Sequence, residues 1–245
     1  MSKTARRYTR KKKVKNGDEP TPKQPKKIAI LAKTERQRDY LNALRRNSLV
    51  FSTGCAGTGK TYVAVSFACQ LYLDRRIKQI ILTRPNIAAG GTSLGFFPGE
   101  RDEKMMNWMR PVLKVMEKHL GKDKVRQMLA AGEILIEPFE TMRGESFENA
   151  FVLLDEAQNA SYEELKMFLT RIGEDTLTVI DGDVSQTDLT RDSGLRRIIN
   201  IAKRQMLPYP VIEFTEDDIV RGDVCASWIK AFLAEETPQP IDYGA

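Results

Sequence analysis

From about residue 28 onward the chain alternates between two hydrophobic periods. Short runs rich in β-branched and aliphatic residues, at 49–53, 79–83, 134–136, 151–154, 177–180 and 211–214, read as buried strands. Between them lie stretches with helical spacing: 34–44, 60–71, 101–131 with a break at Gly121, 165–172 closed by Gly173, 194–203 and 223–234. Apolar strands alternating with helices predict a mostly parallel sheet covered on both faces, an α/β fold. Two helix starts carry capping-box spacing, Thr34 with Gln37 and Ser161 with Glu164. The connection from Arg84 to Glu100 is long and rich in glycine and small residues; Phe96 and Phe97 within it either stack on bases or anchor the loop to the core.

The junction between the first strand and the helix after it carries the clearest chemistry. The apolar run breaks at Gly54 into Gly54-Cys55-Ala56-Gly57-Thr58-Gly59-Lys60-Thr61, the spacing of a P-loop. Glycines let successive backbone N–H groups turn toward phosphate oxygens, and the helix beginning near Lys60 aims its positive end at the same anion. This predicts a cradle from Gly54, Cys55, Ala56, Gly57, Thr58 and Gly59, with Lys60 on the β and γ phosphates and the Thr61 hydroxyl on Mg²⁺. ATP and Mg²⁺ are the expected cofactors, and Cys55 is expected to fill space.

The strand at 151–154 delivers two adjacent carboxylates, Asp155 and Glu156, to the same edge of the sheet. On a chain with a P-loop, Asp155 becomes the Mg²⁺-side carboxylate, held through water or Thr61, and Glu156 the base that orients and deprotonates the attacking water. Residues 181–189 follow the strand at 177–180. There Gln186 either reaches the γ phosphate and reports its loss, or the segment is an Asp-Gly turn followed by a cap. Gln37 also has two readings, a capping-box partner of Thr34 or a reader of adenine.

Charge divides the chain. Residues 1–27 hold eleven Lys and Arg against Asp18 and Glu19, a net +9, so the remainder carries −3 of the chain's +6. Such a segment, nearly without apolar residues, predicts a disordered basic tail over 1–27, suited to nucleic-acid phosphates or to solubility alone. An ATPase domain over 28–236 and a flexible C-terminal tail over 237–245 complete the expected organisation. No apolar run approaches the ~20 residues of a membrane span, and no hydrophobic segment follows the basic start, so a cytoplasmic protein without a membrane partner is expected. Cys55, Cys69 and Cys225 have no paired spacing, which argues against a disulfide framework or a zinc site. His119, the single histidine, is expected in a surface or capping role near a helix end.

Taken together, the motifs resemble the first motor domain of superfamily 1 helicases and, more closely, the PhoH-like ATPase family. The resemblance rests on the P-loop, Thr83-Arg84-Pro85, 94–99, Met142-Arg143-Gly144, 154–159, 167–173, 182–189 and Asp218-Ile219-Val220-Arg221, and spans about residues 33–235. Cys55 stands where family members commonly have Pro, and Gly222 where they have His. The resemblance implies a RecA-like P-loop NTPase fold, ATP binding and hydrolysis, assembly into a ring, most often hexameric, and action on RNA or another single-stranded nucleic acid. It also implies a sensor role for Gln186 and a phosphoryl-stabilising arginine at Arg221. About 60 residues follow Gly182, too few for the second RecA-like domain that closes a helicase site, so Arg221, or in second place Arg196 or Arg197, is expected to reach a neighbouring subunit; the alternative is that Arg221 pairs with Asp217, Asp218 or Asp223 or serves its own subunit's site. The leading expectation is an Mg²⁺-dependent ATPase, with a helicase-like activity on RNA possible within it. The alternatives are a nucleotide-gated nucleic-acid scaffold and a small-molecule kinase; no Asn-Lys-x-Asp element supports a GTPase.

Overall fold

A computed structural model describes residues 29–85, 100–139, 142, 146–184 and 193–236, with the backbone alone at 100–105. The expected basic tail, the C-terminal tail, Phe96, Phe97 and Gln186 lie outside the described residues. In chain order the elements are α1 (Glu35–Arg46), β1 (Leu49–Gly54), α2 (Lys60–Leu73), β2 (Gln79–Arg84), α3 (Glu100–Leu120), α4 (Lys122–Ala130), β3 (Ile134–Pro138), β4 (Ala150–Leu154), α5 (Tyr162–Leu169), β5 (Leu177–Gly182), α6 (Gly194–Arg204), β6 (Val211–Phe214) and α7 (Asp223–Glu236). The six described strands form one sheet in the order β3-β2-β4-β5-β1-β6, and every pairing is parallel.

Alternate residues of the inner strands go to opposite faces, which explains their near-continuous apolar runs. Val50 of β1 joins a core with Tyr40 and Leu44 of α1, Val63 and Phe67 of α2, and Met109 and Met116 of α3. Its neighbour Phe51 joins the other core, with Leu165 and Phe168 of α5 and Leu195 and Ile198 of α6. Helix α2 is buried without interruption from Val63 to Cys69, as expected of a helix apolar on all sides. Helix α6 buries one stripe, Leu195, Ile198, Ile199 and Ala202, at helical spacing. No helix among the described residues is long and apolar enough to cross a membrane.

Four expectations change. Strand β5 runs through Asp181 and Gly182, where the sequence suggested a turn, because Ser52↔Asp181 and Thr53↔Gly182 continue the pairing with β1. Helix α5 stops at Leu169, since Gly173 N donates to the Phe147 carbonyl and Ile172 bridges to Phe147. His119 is buried, not on the surface: α3 packs along α2, its imidazole lies 6.2 Å from the Tyr62 ring, and loss of solvent lowers its pKa. The capping box of Ser161 and Glu164 forms in full, whereas that of Thr34 and Gln37 forms by half. Gln37 N donates to Thr34 Oγ1 (3.1 Å), but the Gln37 side chain passes over the Thr34 N–H and accepts from Lys33 N at 2.8 Å.

Candidate nucleotide site at the C-terminal edge of the sheet

Because β4, β5 and β1 are neighbours in the sheet, whatever follows their C-terminal ends converges on one cleft of about 510 Å³. One wall is backbone. At Gly54, φ is +110°, and a Cβ there would run into the carbonyl of Phe214 on β6. Gly59, at φ +82°, turns the chain into α2, and a Cβ would sit 2.9 Å from Gln37 Nε2. Thr58 Oγ1 donates to the Cys55 carbonyl (3.1 Å) and closes the loop on itself. Gln37 Nε2 donates to the Thr58 carbonyl at 2.8 Å, so the first helix buttresses the P-loop from behind. Lys60 Nζ arches back over the loop and donates to the carbonyls of Gly54 (2.7 Å) and Cys55 (3.1 Å). Burial pushes the Cys55 thiol pKa up, which suits a filler better than a nucleophile.

The other wall is made of side chains. Thr61 Oγ1 donates to Asp181 Oδ2 at 2.9 Å and stands 3.5 Å from Asp155 Oδ1, so the hydroxyl's hydrogen goes to Asp181. Asp155 is raised to about 7, chiefly by burial and then by the charges of Asp181 and Glu156, against the pull of Arg84 and Lys60. Asp181 is raised to about 6, again chiefly by burial, against Lys60 and the Thr61 hydroxyl. The Ser52 hydroxyl across the β1–β5 register also eases that charge, although neither Ser52 Oγ nor Asp181 Oδ1 completes a hydrogen bond.

Glu156 follows with a left-handed backbone, φ 55°, which swings its carboxylate out of the strand direction and into the cleft. Two side chains hold it there: Gln158 Nε2 donates to Glu156 Oε2 at 2.6 Å, and the Arg84 guanidinium lies 3.5 Å from Oε1. Gln158 Oε1 accepts from Asp183 N (3.0 Å), tying Glu156 to the chain leaving β5. The sequence had placed Arg84 and Gln158 in motifs without giving either a role, and had read Asp181 only as part of a turn. An aspartate at the end of the apolar run 177–180, beside the P-loop strand, was the available signal.

Within the chain, Arg221 lies against its own P-loop. Val220 N donates to the Gly57 carbonyl (3.0 Å), and a Cβ on Gly57 would lie 3.1 Å from Arg221 Cγ and 3.2 Å from Ile229 Cδ1. Arg221 therefore lines the same cleft as Lys60 and Asp155. The two alternative arginines are engaged elsewhere in the chain, Arg196 with the Val184 carbonyl (2.7 Å) and Arg197 over the Tyr162 ring (3.7 Å). A larger cleft, about 740 Å³, opens near Arg46, Asn149 and Asp175, away from these groups.

Among the described residues no three Asp, Glu, His or Cys side chains gather to hold a metal alone. The donors beside Thr61 are all oxygen, two carboxylates and a hydroxyl, with one buried oxygen, Asp181 Oδ1, lacking a hydrogen bond. That set fits a hard dication such as Mg²⁺, which draws its remaining ligands from water and phosphate.

The family model described as PhoH-like protein matches residues 29–233. The chain belongs to the PhoH-like family. It is 41% identical over 218 residues to the PhoH-like protein of Bacillus subtilis (strain 168), covering 88% of this chain and 67% of that one. It is 38% identical over 207 residues to Protein PhoH of Escherichia coli (strain K12), covering 83% and 58%. The PhoH-like chain thus spans about three fifths to two thirds of these relatives. The large terminase of a thermophilic bacteriophage shares its fold, with a TM-score of 0.52 over 86% of this chain and 51% of that one at 10% identity. Family and fold together give the protein a RecA-like P-loop NTPase fold.

Proposed function

We propose that this PhoH-like protein is an Mg²⁺-dependent ATPase that acts in the cytoplasm and couples turnover to single-stranded RNA. The observation that carries the reading is the Thr61 hydroxyl set between the half-buried Asp155 and the buried Asp181 beneath a P-loop whose lysine overhangs the same cleft. Thr61 and Asp155 would hold the dication, which neutralises charge on the phosphates. Lys60 leaves the loop carbonyls for the β and γ phosphates. Glu156 takes the proton of the attacking water, with Gln158 and Arg84 fixing its carboxylate. Arg221, at the crest of its own P-loop, meets the charge that develops on the transferring phosphoryl group. The Gly54–Gly59 loop supplies backbone donors, and Gln37 supports the loop from behind.

RNA coupling rests on the +9 segment over 1–27. Self-association into a ring, hexameric by family likeness, draws support from α7, where Val224, Trp228 and Phe232 form an exposed apolar stripe (76, 61 and 57% accessible) on the helix that packs Ile229 against the P-loop. Phosphate release with and without Mg²⁺ and single-stranded RNA tests the proposal. Mg²⁺-dependent turnover that rises with RNA is expected; ATP bound tightly without turnover under either condition would instead favour a nucleotide-gated scaffold.

A further inference from the structure

We infer that Asp181 is the second carboxylate of the divalent-cation site, setting the direction of the Thr61 hydroxyl and adding a full charge that the β4 carboxylate alone does not supply. The inference rests on the reading of the cleft as a nucleotide and Mg²⁺ site, and three observations carry it. Asp181 is 2% exposed yet lines the cleft at the end of β5, one strand away from Asp155. Its Oδ2 takes the Thr61 hydrogen at 2.9 Å, while Asp155 Oδ1 is at 3.5 Å, beyond the O–H···O range. Its Oδ1 is buried with no completed hydrogen bond.

A hydroxyl has one hydrogen and two lone pairs. With the hydrogen committed to Asp181, Thr61 can present only lone pairs to the cleft, the orientation a cation needs, and Asp155 stays available to the ion or its water. Two carboxylates around one hydroxyl, Asp181 buried and Asp155 half-buried, also repel each other until a cation lies between them. The pair therefore favours a dication over nothing far more than a single carboxylate would. Groups that orient a ligand in this way are worth roughly 10- to 100-fold in metal affinity.

The probe is Mn²⁺, titrated by electron paramagnetic resonance into the full chain saturated with ADP. Asp181→Asn keeps the shape and an oxygen acceptor for Thr61 but removes the charge. Its Mn²⁺ affinity should fall about 10- to 100-fold, while ADP still binds in EDTA at least as tightly as to the wild type, which also shows that the variant is folded. Asp181→Ser, smaller and still polar, should reproduce the loss and serves if the asparagine variant does not fold. Equal Mn²⁺ affinity in wild type and either folded variant would overturn the inference while leaving the nucleotide reading intact. Failure of the wild-type chain to bind Mn²⁺ with ADP would overturn both.

Discussion

The two walls of the cleft are built by different means. The P-loop wall is one contiguous stretch, residues 54–61, in which backbone geometry does the work and side chains beyond Lys60 and Thr61 need only be small. The acidic wall is assembled from the ends of three strands and the start of α2, and its hydrogen bond between Thr61 and Asp181 joins residues 120 apart in sequence. Backbone donors are fixed once the loop folds, so the first wall is indifferent to pH and metal. The second wall stores repulsion between closely set carboxylates and depends on what is bound between them. One wall is a fixed cradle and the other a charge-sensitive clamp.

Breaking the cradle should have the largest effect. Lys60→Ala removes the cation that faces the phosphates, and kcat/KM for ATP should fall by at least roughly 10²- to 10³-fold, measured by phosphate release. On the acidic wall, Gln158→Leu leaves Glu156 in place but unclamped. The expected result is a loss of about 10- to 100-fold in kcat, within the range a general base contributes, with KM for ATP nearly unchanged. A matching rise in KM would mean that Gln158 shapes the site as a whole and does not position the base.

A subtler contrast is pH. Both carboxyls of the acidic wall hold protons to higher pH in the folded chain than the ordinary aspartate value of 3.8, Asp155 to about 7 and Asp181 to about 6. Across that window the folded state binds more protons than the unfolded one, so stability is highest below 3.8 as far as these groups contribute, and is lost as pH rises toward 7. In EDTA, the Tm of wild type relative to Asp181→Asn should therefore fall between about pH 4 and pH 7, and Mg²⁺ with ADP should reverse the trend by favouring the charged forms. Smallest is the buttress behind the cradle. Gln37→Ala strands the Thr58 carbonyl and the Lys33 N–H, a cost of about 1–3 kcal/mol measured by denaturant unfolding. The preference for ATP over GTP should stay as it was, because both polar ends of the Gln37 side chain are engaged by the protein.

The same contrast explains what the sequence disclosed. The cradle was legible because its eight residues are adjacent and its glycines leave a spacing no other chemistry requires. The parallel sheet was legible because strands buried on both faces are apolar without alternation, as at 151–154 and 177–180. Asp181 was not, since an aspartate before a glycine is also the ordinary signature of a turn, and only the β1 register turns Asp181 toward Thr61. Arg84 and Gln158 act through Glu156, and nothing in their spacing announces a shared carboxylate. For Arg221 the motif was visible, but its place beside its own P-loop depends on the Val220–Gly57 hydrogen bond, which no spacing announces. His119 was misplaced because a position near a helix end says nothing about which helix packs over it.

The central claim is that Glu156 activates water at a site whose cradle binds ATP independently of it. Single-turnover hydrolysis of ATP by Glu156→Gln, measured alongside its ATP affinity, tests this most directly. The account predicts affinity close to that of the wild type and a chemical step slowed by roughly 10²- to 10⁴-fold. A chemical step at the wild-type rate, or loss of ATP binding as complete as in Lys60→Ala, would contradict it.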